Sequence, residues 1–433
     1  VYDLLERVWD VGFFWDGDFV PKRLTLPLPR LDIAERPRFP IRQHLQACAF
    51  GYTTYPWEWE DWKQEIDWMA KRRQNRMMLD WGHPLAKRVA SYARQLGIEV
   101  ILPGTGLGEV SEEFMKAHPE GRYVKMQWGD SPAYHVLHPD DPLFLSQGAE
   151  TVRKYIQDYG TDHIYNVDPY PEQTVFLPQA EIEAMRVAFA RRVAEYLRAA
   201  DPQAIWYASG WALLAPVWPE ETARGFLQEA AKVPFYICDI WADEQPIYQK
   251  YDYLYGADWG FGVLHAFGGN AGLRGDLAGL IRRVQEVVHD PRAQHCVAFY
   301  INPEIIHYNI LYYELAAQLS WNPEAVSLEQ FLADYARRRY GRASAEHLEE
   351  CLRLLAGSVY SSSSRAWEPY YLQRPRLPSA DSNKYAHIPD LKAALEVALR
   401  EADAQAKNPL YRNDLVDIGR EWLGELFNRH FQA

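Results

Sequence analysis

The chain has 433 residues, 24% of them charged, and a formal net charge of −13. That length exceeds one ordinary core and points to two or three domains. The acidic balance offers no basic surface for phosphate, so nucleic acid is excluded as a partner. No stretch approaches the roughly 18 apolar residues of a membrane span.

Aromatic residues make up 14%, with 16 Trp and 28 Tyr. Most of these serve to fill a core, but aromatic faces also stack on the C–H faces of sugars. Four cysteines (Cys48, Cys238, Cys296, Cys351) are too scattered for a disulfide framework or a zinc site, and read as free thiols. The sequence contains no Asn-X-Ser/Thr acceptor, which points to a bacterial chain, whether secreted, periplasmic or cytoplasmic. An assembly of identical copies is compatible with this composition.

Residues 1–7 carry a helical pattern without a start signal. Short strand patterns follow at 12–15 and 23–28, separated by a turn at Asp16-Gly17. This reads as the end of a small α/β unit (1–38) whose beginning is missing. From residue 39 to 325 an apolar run, a loop and an amphipathic helix alternate. Strands are expected at 42–50, 76–80, 99–103, 163–168, 205–209, 235–239, 260–266 and 296–301. Helical patterns lie between them at 59–73, 84–96, 142–159, 179–199, 220–232, 275–288 and 306–319. Continuous apolar strands are the mark of parallel strands buried on both faces, and eight such units predict an α/β fold, a (β/α)8 barrel. An open doubly wound sheet lacks support, because no Gly-rich phosphate loop follows the first strand. From 326 to 433 helical periodicity takes over at 328–340, 344–356, 390–407 and 413–430, around a Ser- and Tyr-rich loop at 358–383: an all-α C-terminal domain. The chain stops just after a helix, so truncation at both ends is expected.

In a barrel the working groups lie at the C-terminal ends of the strands. The fourth strand exits through YNVD and then PYPE, ending at Glu172; the eighth exits through YINPE, ending at Glu304. A proline before each Glu fixes the loop backbone. Two carboxyls facing across a barrel mouth suit glycoside hydrolysis, one as proton donor and one as nucleophile. Their environments should then hold Glu172 protonated and Glu304 ionised. The bland alternative is that both are ordinary members of a set of 59 acidic residues. Trp128, Trp211, Trp241 and Phe267 are further residues at strand exits, and His265 and Asn270 flank Gly268-Gly269. Neither a His pair with ligand spacing nor a Gly-X-Ser-X-Gly elbow occurs, which disfavours zinc-protease and serine-hydrolase chemistry.

Several strings carry a resemblance. They are GTDHIY at 160–165 leading to Glu172, LHAFGGN at 264–270, and Pro303-Glu304 followed by YYELAAQLSW at 312–321. WEDW at 59–62, EIDWM at 65–69, QPIY at 245–248, ARRRYG at 336–341 and SVY at 358–360 add to them. Together, in order along nearly the whole chain, they resemble the α-N-acetylglucosaminidases of glycoside hydrolase family 89. The resemblance implies a small N-terminal domain, a barrel and a helical C-terminal domain. It also implies retaining exo-hydrolysis of terminal α-linked N-acetylglucosamine without metal or other cofactor. It carries Glu172 over as acid/base and Glu304 as nucleophile, with Cys48, Tyr52, Trp128, Trp211, Leu264 and Phe267 lining the sugar pocket and Trp241 and His265 beside them.

The sequence departs from the family at four places. Pro171 stands where the family has Asn, a residue that contacts the sugar's 2-substituent. The loop at 265–271 reads HAFGGNA. Asp80-Trp81-Gly82 passes almost directly into a helix where the family has a long insertion. Trp367-Glu368 replace a pocket His. The opening segment also resembles the accessory domain of α-glucuronidases. Two alternatives follow: a retaining α-glycosidase for a different sugar, or an inactive carbohydrate-binding barrel.

Overall fold

The computed structural model describes residues 1–22, 30–104, 109–215, 217–268, 272–362 and 388–432. Eight parallel strands close into a barrel: β1 (Ile41–His44), β2 (Arg76–Met78), β3 (Glu99–Pro103), β4 (Ile164–Asn166), β5 (Ile205–Ser209), β6 (Phe235–Asp239), β7 (Asp258–Val263) and β8 (Cys296–Ile301). The ring runs in chain order, and β8 pairs back onto β1 with Phe299 opposite Arg42. Both faces of these strands are covered, so β6 is buried at every residue. Glu304 therefore does follow the eighth strand.

The surrounding helices are α1 (Trp59–Lys71), α2 (Ala86–Gln95), α3 (Pro142–Tyr159), α4 (Gln179–Ala200), α5 (Glu220–Ala230), α6 (Leu277–His289) and α7 (Ile310–Trp321). Their starts follow local chemistry. Glu58 and Asp61 form a capping box at α1. Asp141 caps α3, with Pro142 in the first turn. After β6 there is only the four-residue helix Ile247–Lys250 and a turn in which Asp252, Tyr253, Leu254 and Tyr255 all have positive φ.

Inside the barrel, Met78, Ile101, Ile164, Tyr207, Tyr236, Cys238, Ala298 and Tyr300 form a column that continues to Trp241, Leu264 and Phe267 beyond the strand ends. Gly260 makes room for it: a Cβ there would lie 2.0 Å from the Tyr300 ring. The column is a filled core, and it supplies the floor of the mouth.

Three local expectations change. The first strand ends at His44 rather than residue 50, because Leu45 takes a φ of +69° and Phe50–Thr54 winds into a π-helical turn. Between β3 and β4 the chain makes an antiparallel excursion that the periodicity did not show: Tyr123–Trp128 pairs with Tyr134–Leu137 on one side and with Gln173–Val175 on the other. Trp128 thus stands on this excursion, not at a barrel strand's exit. The expected strand at 23–28 and most of the loop at 358–383 fall outside the described residues.

The C-terminal part contains α8 (Leu328–Tyr340), α9 (Ala345–Gly357), α10 (Ile388–Arg400) and α11 (Pro409–Gln432). The N-terminal helix Tyr2–Trp9 leads into a hairpin, Gly12–Phe14 with Gly17–Phe19. Fully buried Arg339 of α8 binds Asp16 of that hairpin and Asp414 of α11. Trp15, also fully buried, donates from its backbone N–H to Glu314 of α7 and from its indole to Glu65 of α1. The hairpin therefore ties the barrel to the C-terminal helices. Among the described residues, no helix is long and apolar enough to cross a membrane.

Candidate active site

Glu172 follows β4 in a tight loop. Tyr170 and Glu172 have φ of +47° and +66° on either side of Pro171, and non-glycine residues are held so only when their surroundings fix them. Two contacts do so here. The Glu172 N–H bonds Ala215 O after β5. The next residues, Gln173–Val175, join the excursion sheet with Gln173 opposite Trp128. That register brings the Trp128 indole to Glu172, where Nε1 donates to Oε2 at 3.1 Å. Trp211, the first residue of the helix Trp211–Leu214 after β5, donates from Nε1 to Oε1 at 2.7 Å.

Glu304 is held mainly by backbone. Its N–H bonds Ala266 O, its carbonyl accepts from Thr53 Oγ1, and its Oε2 accepts from Gly268 N at 2.8 Å. Burial raises its pKa above the usual carboxylate value and the charge of Glu172 adds to that, while bonds from Gly268, Cys48 and Gln46 oppose it. Cys48 keeps part of its surface open to the mouth, yet enclosure first and Glu304 second push its thiol up to about 12. It therefore stays a thiol and can donate to the carboxylate. Tyr52, 61% exposed, is likewise raised, by Glu304 first and by burial second.

Burial thus works against the ionised form expected of Glu304, while Glu172 accepts one N–H bond at each oxygen.

The remaining expected residues divide into two groups. Trp241 and Phe267 meet edge to face at 5.4 Å, Trp211 lies 6.2 Å from Trp241, and Leu264 packs with them: a continuous apolar wall beside the two carboxyls. His265 lies in the barrel wall. It is buried, stacked on Tyr312 at 4.0 Å, and accepts from Asn309 Nδ2. Asp80-Trp81-Gly82 does run almost directly into α2, and the Trp81 indole bonds Ile101 O. Asn270 and Trp367-Glu368 lie outside the described residues.

Two further groups had been given no role. Asp168, at the exit of β4, has its carboxyl pushed up to about 6 by burial, against bonds from Ser209 N and Asn166 Nδ2. Its place in the string leading to Glu172 was the available signal. Behind Glu304, fully buried Glu65 of α1 accepts from His44 Nε2 at 2.5 Å, the Trp15 indole at 2.8 Å and His307 Nε2 at 3.0 Å. No sequence pattern connects those four residues. Asp243, Glu244 and His265 offer ligand atoms within 4.8 Å of one another. However, Arg274 pairs with Glu244, and Leu264 N and the Tyr312 hydroxyl bond Asp243. That group reads as an internal ion network.

Comparisons with known proteins agree with this fold. The model of the "Alpha-N-acetylglucosaminidase (NAGLU) tim-barrel domain" matches residues 73–323, and that of the C-terminal domain matches 331–433. The human "Alpha-N-acetylglucosaminidase" is 27% identical, over 96% of this chain and 64% of its own length. A family 89 glycoside hydrolase from Clostridium perfringens, solved in complex with 2-acetamido-1,2-dideoxynojirmycin, superposes with a TM-score of 0.85. It is 17% identical, over 100% of this chain and 55% of its own. The same TM-score holds for the Clostridium perfringens structure with its substrate GlcNAc-alpha-1,4-galactose. This chain thus spans 64% of the curated relative and 55% of the solved ones. On two family models that together cover most of its length, the chain belongs to the α-N-acetylglucosaminidase family.

Proposed function

We propose that this protein is a retaining exo-α-glycosidase that removes terminal α-linked N-acetylglucosamine from glycans. Glu172 is the acid/base and Glu304 the nucleophile. The observation that carries the reading is the pair of proline-led carboxyls at the exits of β4 and β8. They share Cys48 and Tyr52 as neighbours, under a wall of Trp211, Trp241 and Phe267. Family membership supplies the substrate class, and the human and clostridial relatives carry or bind it. The domain division proposed is an N-terminal α/β segment at 1–38, the barrel at 39–325 and helices at 326–433.

In the first step a Glu172 proton passes to the glycosidic oxygen as the bond from C1 to that oxygen breaks and a Glu304 oxygen bonds C1. In the second, water bonds C1, its proton goes to Glu172, and the C1–Glu304 bond breaks. The test is product stereochemistry. Proton NMR during hydrolysis of an aryl α-N-acetylglucosaminide should show the α-anomer first; first appearance of the β-anomer removes the nucleophile role.

A second reading keeps this mechanism and changes the sugar. Pro171 favours it, since proline offers no side-chain amide to a 2-acetamido group. A panel of aryl α-glycosides decides: a preference for N-acetylglucosaminide removes the alternative. Tight sugar binding with no turnover would favour a binding protein instead.

A further inference from the structure

Both oxygens of Glu172 are occupied by indole N–H groups, and the two indoles are anchored very differently. Trp211 opens a helix, its own N–H bonds Ser209 Oγ, and its ring lies beside buried Trp241. Trp128 is the last residue of an excursion strand, is 55% exposed, and makes the longer bond, 3.1 Å against 2.7 Å. An N–H donor favours the carboxylate over the acid, and this one takes up one of the two lone pairs of Oε2.

An acid/base in a retaining site has two opposite duties. It must be an acid while a leaving group is present and a carboxylate once that group has gone. We infer that Trp128 is a positioning residue that switches Glu172 between these states: a bound leaving group displaces its indole from Oε2, and the departure of that group lets it return. This rests on the reading of Glu172 as acid/base.

The balance is complete within the site. With the leaving group bound, the glycosidic oxygen stands where the Trp128 N–H stood. Glu172, down to one donor, holds the proton it took from water at the end of the preceding turnover. The Oε2–H bond breaks, the proton joins the leaving oxygen, its bond to C1 breaks and Glu304 bonds C1. The leaving group departs and Trp128 again donates to Oε2. The carboxylate so restored takes a proton from the water that bonds C1, while the C1–Glu304 bond breaks. The charged and titratable groups that face Glu172 are Glu304 of the β8 exit and Cys48 and Tyr52 after β1. All are acids, hydroxyls or thiols, which add no positive charge. The two indoles are the donors that offset this, and of the two Trp128 is the one placed to yield.

The test is Trp128→Phe, which keeps an aromatic face and removes the donor. The basic limb of kcat/KM, which reports the free enzyme, should move up by about one pH unit. The basic limb of kcat for the phenyl glycoside should stay in place, because the bound leaving group has already displaced the indole. The acidic limb of kcat for 2,4-dinitrophenyl α-N-acetylglucosaminide, limited by hydrolysis of the glycosyl-enzyme, should also move up. Trp128→Leu should give the same shifts with a higher KM, and circular dichroism checks that both variants fold. Equal shifts in every limb, or a raised KM with no limb moved, overturn the switch. Failure of the underlying reading looks different: Glu172→Ala would keep its activity on the phenyl glycoside and show no rescue by azide.

Discussion

The exits of β4 and β8 begin alike, with Pro171-Glu172 and Pro303-Glu304, and end in opposite surroundings. Glu172 is exposed and gripped by the side chains of Trp128 and Trp211, which arrive from two other elements. Glu304 is half-buried and fastened by main chain: Gly268 N on its carboxyl, Ala266 O on its N–H, and Thr53 on its carbonyl. Behind that loop stand fully buried Glu65, His44 and Trp15, with part-exposed His307 closing the cluster. A nucleophile benefits from fixed geometry. An acid/base must change its proton twice per turnover, and exchangeable side-chain donors allow that. The difference in scaffolding fits the division of duty proposed for the two carboxyls.

The comparison breaks most sharply at Glu304. Glu304→Ala should lower kcat on an aryl α-N-acetylglucosaminide by on the order of 10⁵-fold, and residual activity near wild type would remove it from the chemistry. Glu172→Ala should be graded by leaving group. The expected loss is about 10³-fold with the phenyl glycoside and much less with dinitrophenyl, with rate restored by added azide; a loss independent of leaving group contradicts a proton donor.

The backbone hold is probed at Gly268. A Cβ there would meet the Tyr52 ring at 2.6 Å, at the residue whose N–H bonds Glu304. Gly268→Ala should therefore reduce kcat by roughly 10- to 100-fold with little change in melting temperature. An unchanged kcat would show that the main-chain bond to Glu304 is dispensable.

Glu65→Ala probes the support behind the loop. It leaves buried His44 and Trp15 and part-exposed His307 without that acceptor and should cost about 3 kcal/mol in urea unfolding. The carboxyl of Glu65 is held down to about 2 despite its burial, by bonds from His307 and His44; their charges add to this. A lowered carboxyl stabilises the fold above its ordinary value of 4.5, and that contribution is lost as pH falls toward 2. His307 is raised, because the bond and charge of Glu65 outweigh its burial. Its contribution is full below 6.5 and lost as pH rises through the raised value. The difference in stability between wild type and Glu65→Ala should thus be largest between pH 4.5 and 6.5. A difference flat from pH 3 to 9 would mean that this cluster holds no ion pair.

Much of the molecule was legible along the chain because its causes are local. Continuous apolar runs alternating with helical periodicity require a parallel sheet covered on both faces, and eight such units without a Gly-rich phosphate loop favour the barrel over an open doubly wound sheet. The same pattern puts Glu172 and Glu304 after the fourth and eighth strands, because strand order sets which loops line the mouth. What folding alone decided depends on contacts between distant residues. Trp128 reaches Glu172 through a sheet pairing with Gln173, His265 turns onto Tyr312, and Glu65 collects donors from the N-terminal hairpin, β1 and the loop after β8. The raised pKa of Glu304 belongs to this second class. It responds to burial and to groups within a few ångströms, and only the packed structure determines which groups those are.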